Sequence, residues 1–173
     1  GLYVGYSSSY KGALLAQGTE ASPIIFTSNA ASPTPGDWNG IYFSAATDDS
    51  ASILEHCIVE YGGHSNNANI YLSSAAPTIK SSIIRYSSSS GIRPVSSSPV
   101  IEGNTITANS GDGIYYDTGS SATVRDNIFS DNGLFAINID PNSIMDNVTG
   151  NAGSGSGLNY ISVRGGYLNS LSR

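Results

Sequence analysis

The sequence predicts an all-β fold, a parallel β-solenoid of roughly six coils of about 22 residues each. Three observations carry the prediction. A short apolar motif recurs as NGIYF around Ile41, ANIYL around Ile70, GIRPV around Ile92, GIYYD around Ile114 and AINID around Ile137, at intervals of 29, 22, 22 and 23 residues. A second series trails it: ILEHCIVEY, TIKSSIIRY, VIEGNTITA, VRDNIFSD and IMDNVTG, anchored on Leu54, Ile79, Ile101, Val124 and Ile144 at intervals of 25, 22, 23 and 20. Both series are rich in Ile, Val, Tyr and Thr, are bounded by Gly, Ser, Asn and Pro, and lack helical spacing, the signature of short strands. One coil cannot bury its apolar positions alone. Stacked about 4.8 Å apart, each strand paired in parallel with its copies above and below, the coils share a continuous core.

The elements follow in chain order. LYV at residues 2–4 and ALLA at 13–16 open the first coil, and no amphipathic capping helix precedes Leu2. Residues 27–37, TSNAASPTPGD, read as a Pro-rich excursion from one turn, because Pro33 and Pro35 cannot donate to a ladder. Trp38 follows it, placed to cover the core of the first coil. From Ile41 to Ile144 the two series alternate, and their alignment predicts three side-chain columns. Three residues after the second-series anchors stand Cys57, Ser82, Asn104, Asn127 and Asn147, an inward ladder whose amides bond along the axis. One residue after the same anchors stand Glu55, Lys80, Glu102 and Arg125, alternating in sign and exposed, and then Met145. Five residues after them stand Val59, Ile84, Ile106 and Phe129, in the core. Residues 150–157, GNAGSGSG, read as a flexible Gly/Ser segment, and 158–173 as a last partial coil or a strand available for pairing. The whole of 1–173 is expected to form one domain.

Composition bounds the function. Ser, Gly and Asn number 31, 20 and 15 in 173 residues, yet 11 Tyr, 4 Phe and regularly spaced Ile argue for a folded chain over a disordered one. Charged residues are only 12% and the net charge is −6, which argues against nucleic acid or an anionic membrane as partner. The lone Cys57 excludes an internal disulfide framework, and no apolar run is long enough for a transmembrane helix. The chain opens at Gly1 without Met or a signal peptide, as a processed or excised piece does.

The pattern V-x-x-N-x-I followed by N-x-G-x-G-I at 22-residue spacing resembles the right-handed parallel β-helix repeat of pectate-lyase-like proteins. Residues 18–43, GTEASPIIFTSNAASPTPGDWNGIYF, resemble the opening of such repeats in bacterial and archaeal cell-surface proteins. The resemblance implies a right-handed β-helix over nearly the whole chain. It implies little about activity, since this fold hosts lyases, hydrolases, adhesins and inert surface fibres. The catalytic motifs of the family's hydrolases and lyases are missing: there is no NTD, GHG, RIK or RxPxxR stretch, and GIRPV around Arg93 matches two residues of the last.

Three candidate sites remain. Asp117 and Asp140 each lie three residues after the first-series anchor in consecutive coils, so their carboxylates are expected to be neighbours. They either splay into water or share a cation, with calcium the candidate cofactor and Asp112 a further oxygen donor. Asp126 and Asp146 make a second such pair, read as solvated turn residues. The outward position after each first-series anchor holds Tyr42, Tyr71, Arg93 and Tyr115, then Asn138. Such a stripe stacks on itself, packs against sugar rings, or meets another protomer, and Arg93 favours an anionic polysaccharide. The coil ends, Leu2, Tyr3, Val4 and Tyr160, Ile161, Val163, offer unpaired apolar edges for self-association. His56 occupies the position of Ser81, Gly103 and Asp126 and reads as a ladder residue, while His64 precedes the regular repeats. The NVT sequon at Asn147 is discounted because the alignment points that side chain inward.

The leading expectation is a non-enzymatic structural or assembly protein of a prokaryotic cell surface, building a fibre, sheath or layer as a homo-oligomer or filament. The alternatives are an extracellular carbohydrate-binding module that uses the tyrosine stripe, and a calcium-dependent polysaccharide lyase built on Asp117 and Asp140.

Overall fold

The computed structural model describes residues 1–5, 7, 9–143, 147–155 and 158–165. Its strands stack into three parallel sheets. The first contains β1 (Leu2–Val4), β4 (Ile41–Phe43), β7 (Ala68–Ser73), β10 (Ser90–Val95), β13 (Ile114–Tyr116), β16 (Phe135–Ile139) and β19 (Leu158–Val163), in that order. The second contains β2 (Leu15–Gln17), β5 (Ile53–Glu55), β8 (Thr78–Lys80), β11 (Val100–Glu102), β14 (Thr123–Arg125) and β17 (Val148–Thr149). The third contains β3 (Ile24–Phe26), β6 (Cys57–Glu60), β9 (Ile83–Arg85), β12 (Thr105–Thr107), β15 (Ile128–Ser130) and β18 (Ala152–Ser154). Each coil lends one strand to each sheet, so the chain is an all-β parallel solenoid.

Inward positions form apolar columns because identical coil positions stack one strand spacing apart. Ile41, Ile70, Ile92, Ile114 and Ile137 make one column, Leu54, Ile79, Ile101 and Val124 a second, and Val59, Ile84, Ile106 and Phe129 a third, all buried. Trp38 packs against this core, and its indole N–H donates to Glu60 O at 2.8 Å.

The turn between the second and third sheets carries the polar ladder. Cys57 N–H donates to Ser82 Oγ at 2.9 Å, Ser82 N–H to Asn104 Oδ1 at 3.0 Å, Asn104 N–H to Asn127 Oδ1 at 2.9 Å and Asn127 N–H to Asn151 Oδ1 at 3.0 Å. Each Asn amide also donates to a carbonyl, Ile79 O, Ile101 O and Val124 O for Asn104, Asn127 and Asn151 in turn. The final member is Asn151 and not Asn147. The register sets Val148, not Ile144, over Val124, which moves every position of that coil by four. Asn147 is exposed, so the argument that discounted its sequon does not hold. Ile144, Met145 and Asp146 lie outside the described residues.

A second ladder, unread in the sequence, runs along the turn after the third sheet. Ser87 N–H donates to Asn109 Oδ1 at 3.0 Å and Asn109 N–H to Asn132 Oδ1 at 3.2 Å, while their amides reach Ile84 O and Ile106 O. The residue before each rung of the first ladder adopts the left-handed backbone region: His56, Ser81, Gly103, Asp126 and Gly150 have φ of 48°, 49°, 63°, 57° and 65°. His56 is thus a turn residue in a column of such turns. The excursion at 27–37 is tied by Asp37, which accepts from the Ser28 and Thr34 hydroxyls at 2.7 Å each. Within 150–157, read by composition as a linker, residues Ala152–Ser154 pair with Ile128–Ser130.

Candidate functional site

The outward side chains of the seven-stranded sheet form the candidate site. Its register pairs Tyr3 with Tyr42, Tyr42 with Tyr71, Arg93 with Tyr71, and Tyr115 with Asn138. Ring centroids lie 5.1 Å apart for Tyr3 and Tyr42 and 5.3 Å for Tyr42 and Tyr71, the latter pair within 10° of parallel. The Arg93 guanidinium sits 5.7 Å from the Tyr71 centroid and 5.1 Å from that of Tyr115, and Arg164 sits 4.1 Å from Tyr115. Stacking and cation–π contact therefore run unbroken along the axis.

This packing changes what the stripe can offer. Tyr71 is flanked along the axis by Tyr42 and Arg93, and Tyr115 by Arg93 and Arg164, so neighbours occupy their ring faces. Both tyrosines are half-buried. A sugar ring lying flat on Tyr71 or Tyr115 is thereby excluded. Two hollows border the column: one of 510 Å³ between Tyr3, Gly5, Tyr42 and Ser44, and one of 240 Å³ lined by Arg93, Asp112, Tyr115 and neighbouring Ser and Asn residues.

The acidic pair is resolved by arginine. Asp117 accepts from Arg93 Nη2 at 2.7 Å and from the Thr118 N–H at 3.0 Å. Burial opposes its ionisation, but the Arg93 hydrogen bond, the Thr118 N–H and the charges of Arg93 and Arg164 together hold the carboxyl below its usual range. Asp140 accepts from the Asn142 N–H at 2.9 Å and the Thr118 hydroxyl at 3.3 Å, with Arg164 Nη2 at 3.5 Å. The Asn142 N–H is the leading cause that lowers its pKa. Each carboxylate thus has its own cationic partner, and no shared cation is needed to relieve their repulsion. Among the described residues no group of three His, Cys, Asp or Glu side chains is placed to hold a metal ion. Asp126 donates its N–H to Thr149 O and stacks towards Gly150, and Asp146 lies outside the described residues.

Two further residues matter here: Asp112, read in the sequence only as an extra oxygen donor to a cation, and Arg164, which was not singled out by sequence. Asp112 is buried at 3% exposure; it accepts from the Phe135 N–H at 3.0 Å and from Asn138 Nδ2 at 3.3 Å, and burial pushes its carboxyl up. Arg164 is legible in hindsight. Ile161 pairs with Ile137, so Arg164 takes in its coil the place that Asp117 and Asp140 take in theirs.

The remaining candidates have simpler surroundings. Cys57 is buried, its thiol donates to Ala16 O at 3.4 Å, and burial raises its pKa, which suppresses the reactive thiolate. His64 is exposed and within 3.0 Å of the Ser65 hydroxyl. Lys80 bonds Glu55 at 2.9 Å and Arg125 bonds Glu102 at 2.8 Å in the alternating charge column. At the coil ends Leu2, Tyr3, Tyr160, Ile161 and Val163 are exposed, whereas Val4, on the same inward face as Leu2, is buried.

A family model described as a right-handed β-helix region matches residues 15–168. The chain belongs to the right-handed β-helix family. No curated protein and no solved structure matches it. Membership accounts for the three stacked sheets of this β-helix. The tyrosine–arginine face is a feature of its own outward positions, which the stack leaves free to vary.

Proposed function

We propose that this β-helix is a glycan-binding module of an extracellular surface, with the outward face of its seven-stranded sheet as the contact area. The observation that carries the reading is the continuous column Tyr3, Tyr42, Tyr71, Arg93, Tyr115, which sets phenol hydroxyls and a guanidinium at strand spacing beside two hollows. A polysaccharide running along the axis meets a hydrogen-bonding group at every coil. Tyr and Arg make such contacts at small entropic cost. The test is a glycan array probed with the wild-type chain and a Tyr42→Ala/Tyr71→Ala variant. Retention on at least one polysaccharide, lost in a variant that still melts cooperatively at a somewhat lower midpoint, is expected. Equal binding by both proteins removes this face from the function.

A second reading, assembly by head-to-tail stacking of copies, has its own observation. Every large apolar residue that stands out as exposed among the described ones belongs to the first coil or to the stretch from β15 onward: Leu2, Tyr3, Tyr10, Leu15, Ile24 and Ile25 at one end, and Ile128, Leu134, Leu158, Tyr160, Ile161 and Val163 at the other. The outermost strands are each paired on one side only. A further coil in register, of this chain or of another copy, covers the inward-facing Leu2, Ile161 and Val163, which align with buried Ile41, Ile137 and Ile139, and satisfies the open backbone. Light scattering at rising concentration tests it: association that Ile161→Pro abolishes supports stacking, and a wild-type monomer throughout refutes it.

A further inference from the structure

Of the 15 Asn in the chain only Asn147 is followed two residues later by a hydroxyl, in the tripeptide Asn147-Val148-Thr149. The fold accounts for the lack of such tripeptides in its ladders. Two residues past the first-ladder Asn104 and Asn127 the chain points into the core, and those positions hold the buried Ile106 and Phe129. An Asn of that ladder followed by x-Ser/Thr would bury a hydroxyl among apolar side chains, which is unfavourable. Asn109 and Asn132, of the second ladder, are followed at the same distance by Gly111 and Leu134.

Asn147 stands outside both ladders. Val148 pairs with Val124 and Thr149 with Arg125, so Thr149 lies in the outward charge column and not over Phe129. The Val124 N–H donates to Asn147 O at 2.9 Å and the Asp126 N–H to Thr149 O at 3.0 Å, which fixes the backbone on either side of Val148. Strand alternation turns Val148 inward, where it packs against the core, and leaves Asn147 and Thr149 outward and exposed. The polar rung of this coil is Asn151, which accepts the Asn127 N–H at 3.0 Å and donates to Val124 O at 2.8 Å and Thr149 O at 3.1 Å. A group attached to Asn147 Nδ2 therefore disturbs neither ladder nor core.

We propose that Asn147 is an N-glycosylation acceptor, a place where this chain carries a sugar. An exposed Asn-x-Ser/Thr is the acceptor sequence of that modification. The co-substrate is an oligosaccharide held through its anomeric carbon on a polyprenyl pyrophosphate, and a membrane transferase brings the two together. The bond from Asn147 Nδ2 to the anomeric carbon forms as the bond from that carbon to the pyrophosphate oxygen breaks. The pyrophosphate leaves with the electron pair, Nδ2 gives up one proton, and nothing is oxidised or reduced. Asn147 adjoins the second sheet, whereas the tyrosine column belongs to the first. The proposal thus shares with the glycan-binding reading only its extracellular setting, and either can fail without the other.

The experiment is expression of the full chain behind a secretion signal in eukaryotic cells, followed by mass spectrometry of the product, secreted or retained, before and after peptide N-glycosidase. A discrete glycan mass on most of the wild-type chain is expected, released by the enzyme with conversion of Asn147 to Asp. Thr149→Ala should lose it and Thr149→Ser should keep it. Asn147→Gln should also lose it, which holds the assignment open to test even if Thr149→Ala fails to fold. Thermal melting separates a surface site from a lesion: glycosylated and glycosidase-treated chains should both melt cooperatively, within about 2 °C of each other, as expected of a change at an exposed side chain. A wild-type product with a bare Asn147 overturns the proposal. A glycan mass that survives Asn147→Gln lies elsewhere and overturns the assignment. A glycan at Asn147 that abolishes cooperative melting overturns the outward placement on which the proposal stands.

Discussion

Replacing Asn127 by Leu tests the inner ladder where it is most fully bonded. The Asn127 side chain accepts from the Asn104 N–H at 2.9 Å and from Asn104 Nδ2 at 3.0 Å, and donates to Ile101 O at 2.9 Å and Asn151 Oδ1 at 3.0 Å. Leu is close in volume, so no large cavity opens. Two of the four partners have other bonds to fall back on: Asn104 Nδ2 still reaches Ile79 O, and Asn151 Oδ1 still accepts the Asn127 N–H. The Asn104 N–H and Ile101 O lose the partner the side chain gave them, in a turn where Asn127 is 0% exposed. Each buried orphan costs about 1–3 kcal/mol, so the variant should lose about 2–6 kcal/mol. Urea unfolding followed by circular dichroism reads the loss, and each kcal/mol should move Tm by about 2–4 °C in a chain of this size. The control is Asn147→Ala, the residue that the alignment anchored on Ile144 places in the same ladder. It is exposed, so its loss should stay within about 0.5 kcal/mol. A loss below about 1 kcal/mol for Asn127→Leu, or equal losses for both variants, refutes the register on which the argument rests.

Three further outcomes follow from the same geometry. Lys80→Glu breaks a partly exposed pair with Glu55 and sets like charges against both Glu55 and Glu102, so thermal melting should show a loss of no more than about 1 kcal/mol that fades in high salt; an equal loss at both salts refutes the column. Asp117 has a lowered folded pKa, so its contribution holds above the unfolded value of 3.8 and is lost as pH falls through the folded one, whereas Asp112 has a raised folded pKa, and its contribution is present below 3.8 and lost as pH rises through the folded one. Melting curves from pH 3 upwards should therefore show Asp117→Asn converging with wild type at the acid end and Asp112→Asn gaining on wild type towards neutrality, and parallel curves refute both assignments. Gly40 has φ +87°, and a Cβ there meets the carbonyl oxygens of Asn69 and Ala68, so Gly40→Ala should cost more than about 2 kcal/mol in urea unfolding, with a smaller loss refuting the close approach.

The sequence made most of the stack readable because strand pairing at fixed spacing forces the same residue types to recur. Ile41, Ile70, Ile92, Ile114 and Ile137 mark one sheet, and Glu55, Lys80, Glu102 and Arg125 mark the outer column of another. The slip came at the last coil, where Ile144 looks like an anchor but Val148 is one. The interval of 20 that Ile144 requires was the shortest in its series, and 24 was the physical choice. The second ladder had a signal too: Asn109 and Asn132 each follow a first-ladder Asn by five residues, at the same 23-residue spacing. What periodicity could not convey was the diagonal reach of Arg93 to Asp117, two residues beyond its in-register neighbour Tyr115. Long side chains choose among direct and diagonal partners, and only their rotamers in the fold decide.

That division has a physical root in the stack itself. In a solenoid each coil touches only its neighbours, so stability is carried by inward columns and turn ladders that repeat, and a substitution is felt mainly one coil away. Inward positions here are committed to Ile, Val and Asn by packing and by backbone groups that must be bonded. Outward positions are not, and yet the seven-stranded sheet holds Tyr3, Tyr42, Tyr71, Arg93 and Tyr115 in one unbroken column. Self-stacking alone accounts for the rings. Retention of a glycan that Tyr42→Ala/Tyr71→Ala abolishes in a folded chain is therefore what separates a binding face from a merely stable one.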